Sequence, residues 1–157
     1  MKKRNFVKNL LLAGFVGAGF ISQLPVFAQN SSVSVKNPWV RATVGSQKST
    51  GAFMQIECKS PLSLVRVESD AAAMVEIHEM KMDGGVMKMR EVEKLECAAG
   101  KLTELSPGGF HIMLMNVHKP VKEGDQVRLQ LVFEDKQAKQ SRVKVVAPVK
   151  ALNATMH

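Results

Sequence analysis

From residue 33 onward, apolar and polar residues alternate in short runs, and turn-forming residues break the runs at roughly ten-residue intervals. Alternation with period two is the mark of a half-buried strand, because successive side chains leave opposite faces of the pleat. The runs cover residues 33–44, 51–58, 62–68, 74–82, 86–92, 101–105, 110–117, 126–133 and 141–149. Gly45-Ser46, Ser60-Pro61, Asp83-Gly84-Gly85, Ser106-Pro107-Gly108-Gly109 and the stretch 119–125 punctuate them. No helical period competes, and Asp70-Ala71-Ala72-Ala73 offers at most one helical turn. Eight or nine strands at this spacing predict an all-β antiparallel sandwich or barrel. Trp39, Val44, Phe53, Ile56, Leu64 and Val67 are its expected interior residues.

The first 28 residues break the pattern. Lys2, Lys3, Arg4 and Lys8 form a charged segment, residues 10–21 an apolar one, and Val26-Phe27-Ala28 a cleavage sequence, which together read as a secretory signal. The apolar run is shorter than the roughly 20 residues of a spanning helix. No cysteine sits just after the cleavage sequence, so the mature protein is expected to be exported, periplasmic, and neither lipid-anchored nor membrane-inserted. Its organisation is then a signal at 1–28, one domain at 29–150 and a short flexible tail at 151–157. Removing the signal also removes four of the 22 basic residues and none of the 14 acidic ones, so 18 against 14 leaves a charge of +4. That modest excess, with one Trp and no Tyr for stacking, argues against nucleic-acid binding. Cys58 and Cys97 fall in mature sequence, where an oxidising compartment permits one disulfide; two separate buried thiols are the alternative.

Within the strands lies a pattern of a different kind. His78, Met89, His111 and Met113 follow one another as His, ten residues, Met, twenty-one residues, His, one residue, Met. Imidazole is a borderline-soft donor and thioether a soft one, so two of each suit Cu(I). Zn(II) would recruit thiolate or carboxylate beside its imidazoles, and a blue-copper centre needs a cysteine. Seven of the ten methionines fall between residues 74 and 115.

Strand geometry explains the intervals. His78, Met80 and Met82 share one face of their strand, and His111, Met113 and Met115 share one face of theirs. With Asp83-Gly84 as a two-residue turn, His78 lies opposite Met89. With Gly84-Gly85 as the turn, Met80 opposes Met89 and His78 becomes its diagonal neighbour. Either register keeps His78 and Met89 within reach on one face. Pro107-Gly108-Gly109 places His111 at a strand entrance, near solvent. Met74, Met82 and Met87 are read as gap-filling core residues. Met80 and Met115 share the ligand face, as outer neighbours of the site or transient acceptors. His118 is read as solvated, and Met156 and His157 as part of a frayed end.

At these residues the chain resembles the PCu(A)C family of periplasmic copper chaperones, whose signature is this His/Met spacing. The stretches HEM at 78–80, GVMKMR at 85–90, PGGFHIMLM at 107–115 and EGDQVRL at 123–129 carry the likeness, which begins near Trp39-Val40-Arg41-Ala42. The resemblance implies a cupredoxin-like Greek-key β-sandwich binding one Cu(I) per domain through His78, Met89, His111 and Met113. It further implies delivery of copper by ligand exchange to cytochrome c oxidase, at CuA or CuB, with the apo copper subunit and a Sco-type thiol protein as partners. Two other classes compete: a copper buffer or resistance protein without a dedicated acceptor, and a sandwich whose Met-rich face binds another protein. An enzyme is not expected, since no nucleophile–base pair, carboxylate dyad or phosphate loop stands out.

Overall fold

The computed structural model describes residues 32–151, so the expected signal at 1–28 and the tail residues Met156 and His157 lie outside the described part. Ten strands are present there: β1 Val33–Arg41, β2 Ser49–Cys58, β3 Leu62–Glu68, β4 Ala72–Asp83, β5 Val86–Glu91, β6 Leu95–Cys97, β7 Leu102–Leu105, β8 Phe110–Val117, β9 Gln126–Glu134 and β10 Gln140–Lys150. Nine match the alternating runs. The tenth, β6, is three residues long, too short to show a period. The helical turn allowed at residues 70–73 does not form; Ala72 and Ala73 already belong to β4.

The strands order as β5-β4-β8-β7-β2-β1-β10-β9-β3-β6, and almost every pairing is antiparallel. A short parallel pairing of β1 with β10, at Val40↔Val149 and Arg41↔Lys150, joins the two halves of this order. Ile77, Ile112 and Leu114 from one half form a single core cluster with Leu64, Leu131 and Phe133 from the other. The sheet therefore closes over itself as two layers, a cupredoxin-like sandwich. Each fully buried aliphatic or Phe side chain in that cluster contributes roughly 1.5–3 kcal/mol relative to exposure.

The structure departs from the sequence expectation in two places. In β1 the register with β2 slips between Lys36 and Trp39, where Asn37 takes a φ of 49° just before Pro38. Asn tolerates this left-handed conformation better than most residues. Upstream of the bulge Val33 and Val35 face the core; downstream the phase has changed, so Val40 does, while Trp39 turns to the opposite face and pairs with Phe53. Trp39 and Phe53 are buried as expected, yet neither joins the main core. Val44 was expected inside and is instead 54% exposed, because β1 ends at Arg41 and leaves it in the connecting loop.

The second departure concerns the cysteines. Cys58 on β2 and Cys97 on β6 are both buried and both free, which corrects the expected disulfide in favour of two thiols. Burial, reinforced by the neighbouring Cys97, pushes the Cys58 thiol up to about 12. Both side chains behave as small apolar groups at the far end of β2 from the residues considered next.

Candidate metal centre

Strand β4 is flanked by β5 and β8, and the registers fix who meets whom. On one side Met80 pairs with Met89, Met82 with Met87 and His78 with Glu91. The turn is therefore Gly84-Gly85, with φ of 59° and 78°, the paired positive values that a type I′ turn requires. Of the two registers open from sequence, this one makes His78 and Met89 diagonal neighbours. On the other side His78 pairs directly with His111, and Glu76 with Met113. Strand β2 then adds Gly51 opposite Met113.

His78, Met89, His111 and Met113 consequently share one face of three adjacent strands. The two imidazole rings meet edge to face with centroids 5.9 Å apart. Met89 reaches over until its Sδ lies 3.2 Å from His111 Nε2. Met113, two residues along β8 from His111, lines a cavity of about 280 Å³ with His111, Met89, Met80, Arg41 and Phe53, and His78 adjoins it through the His111 ring.

The hydrogen bonds of the rings decide which nitrogens are bare. His111 Nδ1 lies 3.0 Å from the Gly109 carbonyl oxygen, which can only accept, so Nδ1 carries the proton. In the neutral ring Nε2 is then a lone pair, and its contact with Met89 Sδ brings two electron-pair donors together with no proton between them. Burial holds the His111 imidazolium below the usual histidine range; the positive ends of His78 and Arg41 add to this, against the Gly109 carbonyl, which favours the proton. His78 is arranged the other way round. Its Nε2 donates to Glu76 Oε2 at 2.8 Å, leaving Nδ1 as the bare nitrogen, buried and with no hydrogen-bond partner among the described residues. An unpartnered buried nitrogen beside a neutral imidazole and two thioethers is a donor set that fits a soft monovalent ion.

Behind the rings lies a second layer that composition and spacing did not single out. Phe53 stacks 4.5 Å from Trp39 and 6.3 Å from His111, both centroid to centroid. Arg41 caps this aromatic pair, its guanidinium carbon 5.2 Å from the Phe53 ring centre. Gly51 is required here: a Cβ at that position would come within 2.7 Å of the Phe53 ring. Parity along β2 already separates Gly51 and Phe53 from the core residues Ala52, Met54 and Ile56, and it was the available sign that Phe53 faces the site. For Glu76 the sign was its i, i+2 relation to His78.

Exposure corrects two expectations. His111, expected near solvent, is only 6% exposed, because Phe53, Met89 and the 107–109 turn enclose it. Met89 is instead the open ligand, at 51%. Met74, Met82 and Met87, read as core filler, are 47%, 59% and 45% exposed and fill nothing. Met80 and Met115 are half-buried on the ligand face, and His118 is exposed as expected.

The described residues thus form a cupredoxin-like sandwich that carries two imidazoles and two thioethers on one face of one layer. Solved structures agree at the level of fold. The apo PCuAC domain of PmoF2 superposes with a TM-score of 0.63 at 22% identity, covering 80% of this chain and 95% of that domain. Apo-DR1885 from Deinococcus radiodurans gives 0.57 at 25% identity, over 94% and 97% of the two chains. Residues 33–149 match the family described as "Putative lipoprotein LpqE-like", and the chain belongs to that LpqE-like family. Among its relatives, "Putative lipoprotein Lxx21020" of Leifsonia xyli is 31% identical, with 80% of this chain and 78% of the relative covered. RP573 of Rickettsia prowazekii is also 31% identical, over 73% and 67%.

Proposed function

We propose that this protein is an exported copper carrier that holds one Cu(I) between His78 Nδ1, His111 Nε2, Met89 Sδ and Met113 Sδ and passes it on by ligand exchange. The observation that carries the reading is the convergence of Met89 Sδ and the bare His111 Nε2 at 3.2 Å, beside a His78 whose other nitrogen is tied to Glu76. Related proteins lend support: one solved neighbour is the copper-bound PCuAC domain from PmoF2, and another is CuI-DR1885 from Deinococcus radiodurans, 25% identical.

Charge favours the monovalent ion. Arg41 lines the cavity and repels a divalent cation twice as strongly, and of the two carboxylates beside His78, Glu76 is taken up by its Nε2 while Glu91 is exposed. Thioethers need no deprotonation to bind, and the neutral His111 needs none either. Release begins at Met89, the exposed ligand on the edge strand β5. An incoming soft donor displaces that thioether first, and the ion then leaves the more enclosed imidazoles without a change of oxidation state.

The same reading places the protein in the periplasm, with the apo copper subunit of cytochrome c oxidase, at CuA or CuB, as acceptor and a Sco-type thiol protein as co-worker. Titration of the reduced protein against a Cu(I) chelator tests the binding step: one tight equivalent is expected, and Met89→Leu/Met113→Leu should weaken it at least about tenfold, the loss of about 1.4 kcal/mol. Unchanged affinity in that variant would remove the site. Transfer to an apo-oxidase copper fragment, set against retention by the loaded protein, separates delivery from storage.

A further inference from the structure

Met80 lines the cavity without being one of the four ligands, and Met82 and Met87 are exposed beyond it, nearer the turn. Met80, Met82 and Met87 lie on the same face of the β4–β5 hairpin as His78 and Met89. The registers Met80↔Met89 and Met82↔Met87 stack them in two rows that lead from the turn toward the imidazoles. Met82 and Met87 are solvent-exposed and stand outside the core cluster. The opposite face of the same hairpin is charged and internally paired, Lys88 with Asp83 at 2.8 Å and Arg90 with Glu79 at 3.0 Å. The ribbon is thus divided into an ionic face and a thioether face, and the thioether face is continuous with the site.

We propose that Met80, Met82 and Met87 form a second, weaker Cu(I) position at the hairpin tip, from which the ion moves inward to Met89 and the two histidines. This rests on the Cu(I) reading given above. Directly opposed residues of a hairpin place their Cβ atoms about 4.5–5.5 Å apart, and diagonal neighbours about 7–8 Å. A methionine spans such gaps with three rotatable bonds and a polarizable sulfur, so three thioethers from these positions can meet around one ion. All-thioether donation selects the soft monovalent ion and excludes hard cations. With no imidazole in the set, the tip position binds more weakly than the inner one, so occupancy runs inward. Movement between them exchanges thioether for thioether through the Met80–Met89 row, and neither electrons nor protons change hands.

The test uses the full mature protein labelled with 13C at the methionine methyl groups, titrated anaerobically with Cu(I), which is diamagnetic. The first equivalent is expected to shift the Met89 and Met113 methyls and the second to shift Met80, Met82 and Met87. Met82→Leu/Met87→Leu alters two exposed side chains with little change of volume. It should keep the first equivalent at its wild-type affinity and weaken the second at least about tenfold. A second equivalent that leaves Met82 and Met87 unmoved, or that binds the double variant as tightly as the wild type, would overturn the tip position alone and leave the inner site standing. A first equivalent that fails to move Met89 and Met113 would overturn the four-ligand reading, and the tip position with it.

Discussion

Glu76 and the Gly109 carbonyl each fix a tautomer, and by doing so they choose the nitrogen that a metal would meet. Groups that orient a metal-binding histidine through its second nitrogen commonly contribute ten- to a hundred-fold in affinity. Glu76→Ala should therefore lower Cu(I) affinity by about that factor in chelator competition, because the His78 ring loses its anchor. Glu76→Gln should cost less, since its amide oxygen still accepts the Nε2 proton. The environment of His111 adds a pH dependence to the metal-free protein. Burial depresses its folded value, so as pH falls through the ordinary imidazole range near 6.5 the unfolded chain takes up a proton first. The associated stability is complete above that range and declines as pH falls toward the folded value. Denaturation midpoints measured across mildly acidic pH should show this decline, and His111→Gln should flatten it.

At the scale of elements, the β4–β5 turn sets the register on which the site depends. Gly84 and Gly85 both adopt positive φ, and a Cβ on either would meet nothing within 4 Å, so any penalty there comes from the backbone rather than from crowding. A β-branched residue in this conformation costs more than the roughly 1–2 kcal/mol typical of other L-residues. Gly85→Val should weaken or slip the hairpin and lower copper affinity, whereas Gly84→Asn should be tolerated as the preferred Asn-Gly turn. Loss of the Met80–Met89 cross-strand contacts, measured by nuclear Overhauser effects, checks the first variant. Much of this geometry was legible beforehand: β3 and β8 coincide with their alternating runs, and parity alone put His78 with Met80 and His111 with Met113. Other features were not. The turn could be Asp83-Gly84 or Gly84-Gly85 because both pairs suit a type I′ turn, and only the fit of β4 against β8 and β5 together decides. The bulge at Asn37 reverses the phase of β1, so a constant period sent Trp39 to the wrong face.

For the whole molecule, the sandwich acts as a rigid back plate. One layer presents the site on its outer face and buries Ile77, Ile112 and Leu114 on its inner one, so the strands that hold the imidazoles are pinned from behind. The enclosure of His111 follows from this arrangement. Its position beside a glycine-rich turn suggests access to solvent, but Phe53 arrives from β2, and only the tertiary fold brings it there. Burial of the cysteines has the same origin, since Cys58 and Cys97 are 39 positions apart and come together where the chain after β6 bridges β2 at Cys58↔Ala99. The methionine excess divides by location: Met54 packs in the core, Met113 lines the cavity, and Met82 and Met87 stand in solvent at the hairpin tip.

The proposed carrier stands on a mixed imidazole and thioether coordination sphere around a single Cu(I). Copper K-edge X-ray absorption of the protein loaded with one equivalent reads that sphere directly. The four-ligand site gives a Cu(I) edge with two nitrogen and two sulfur neighbours, and Met89→Leu and Met113→Leu each remove one sulfur. A spectrum with no sulfur scatterer, or one that those variants leave unchanged, would contradict it.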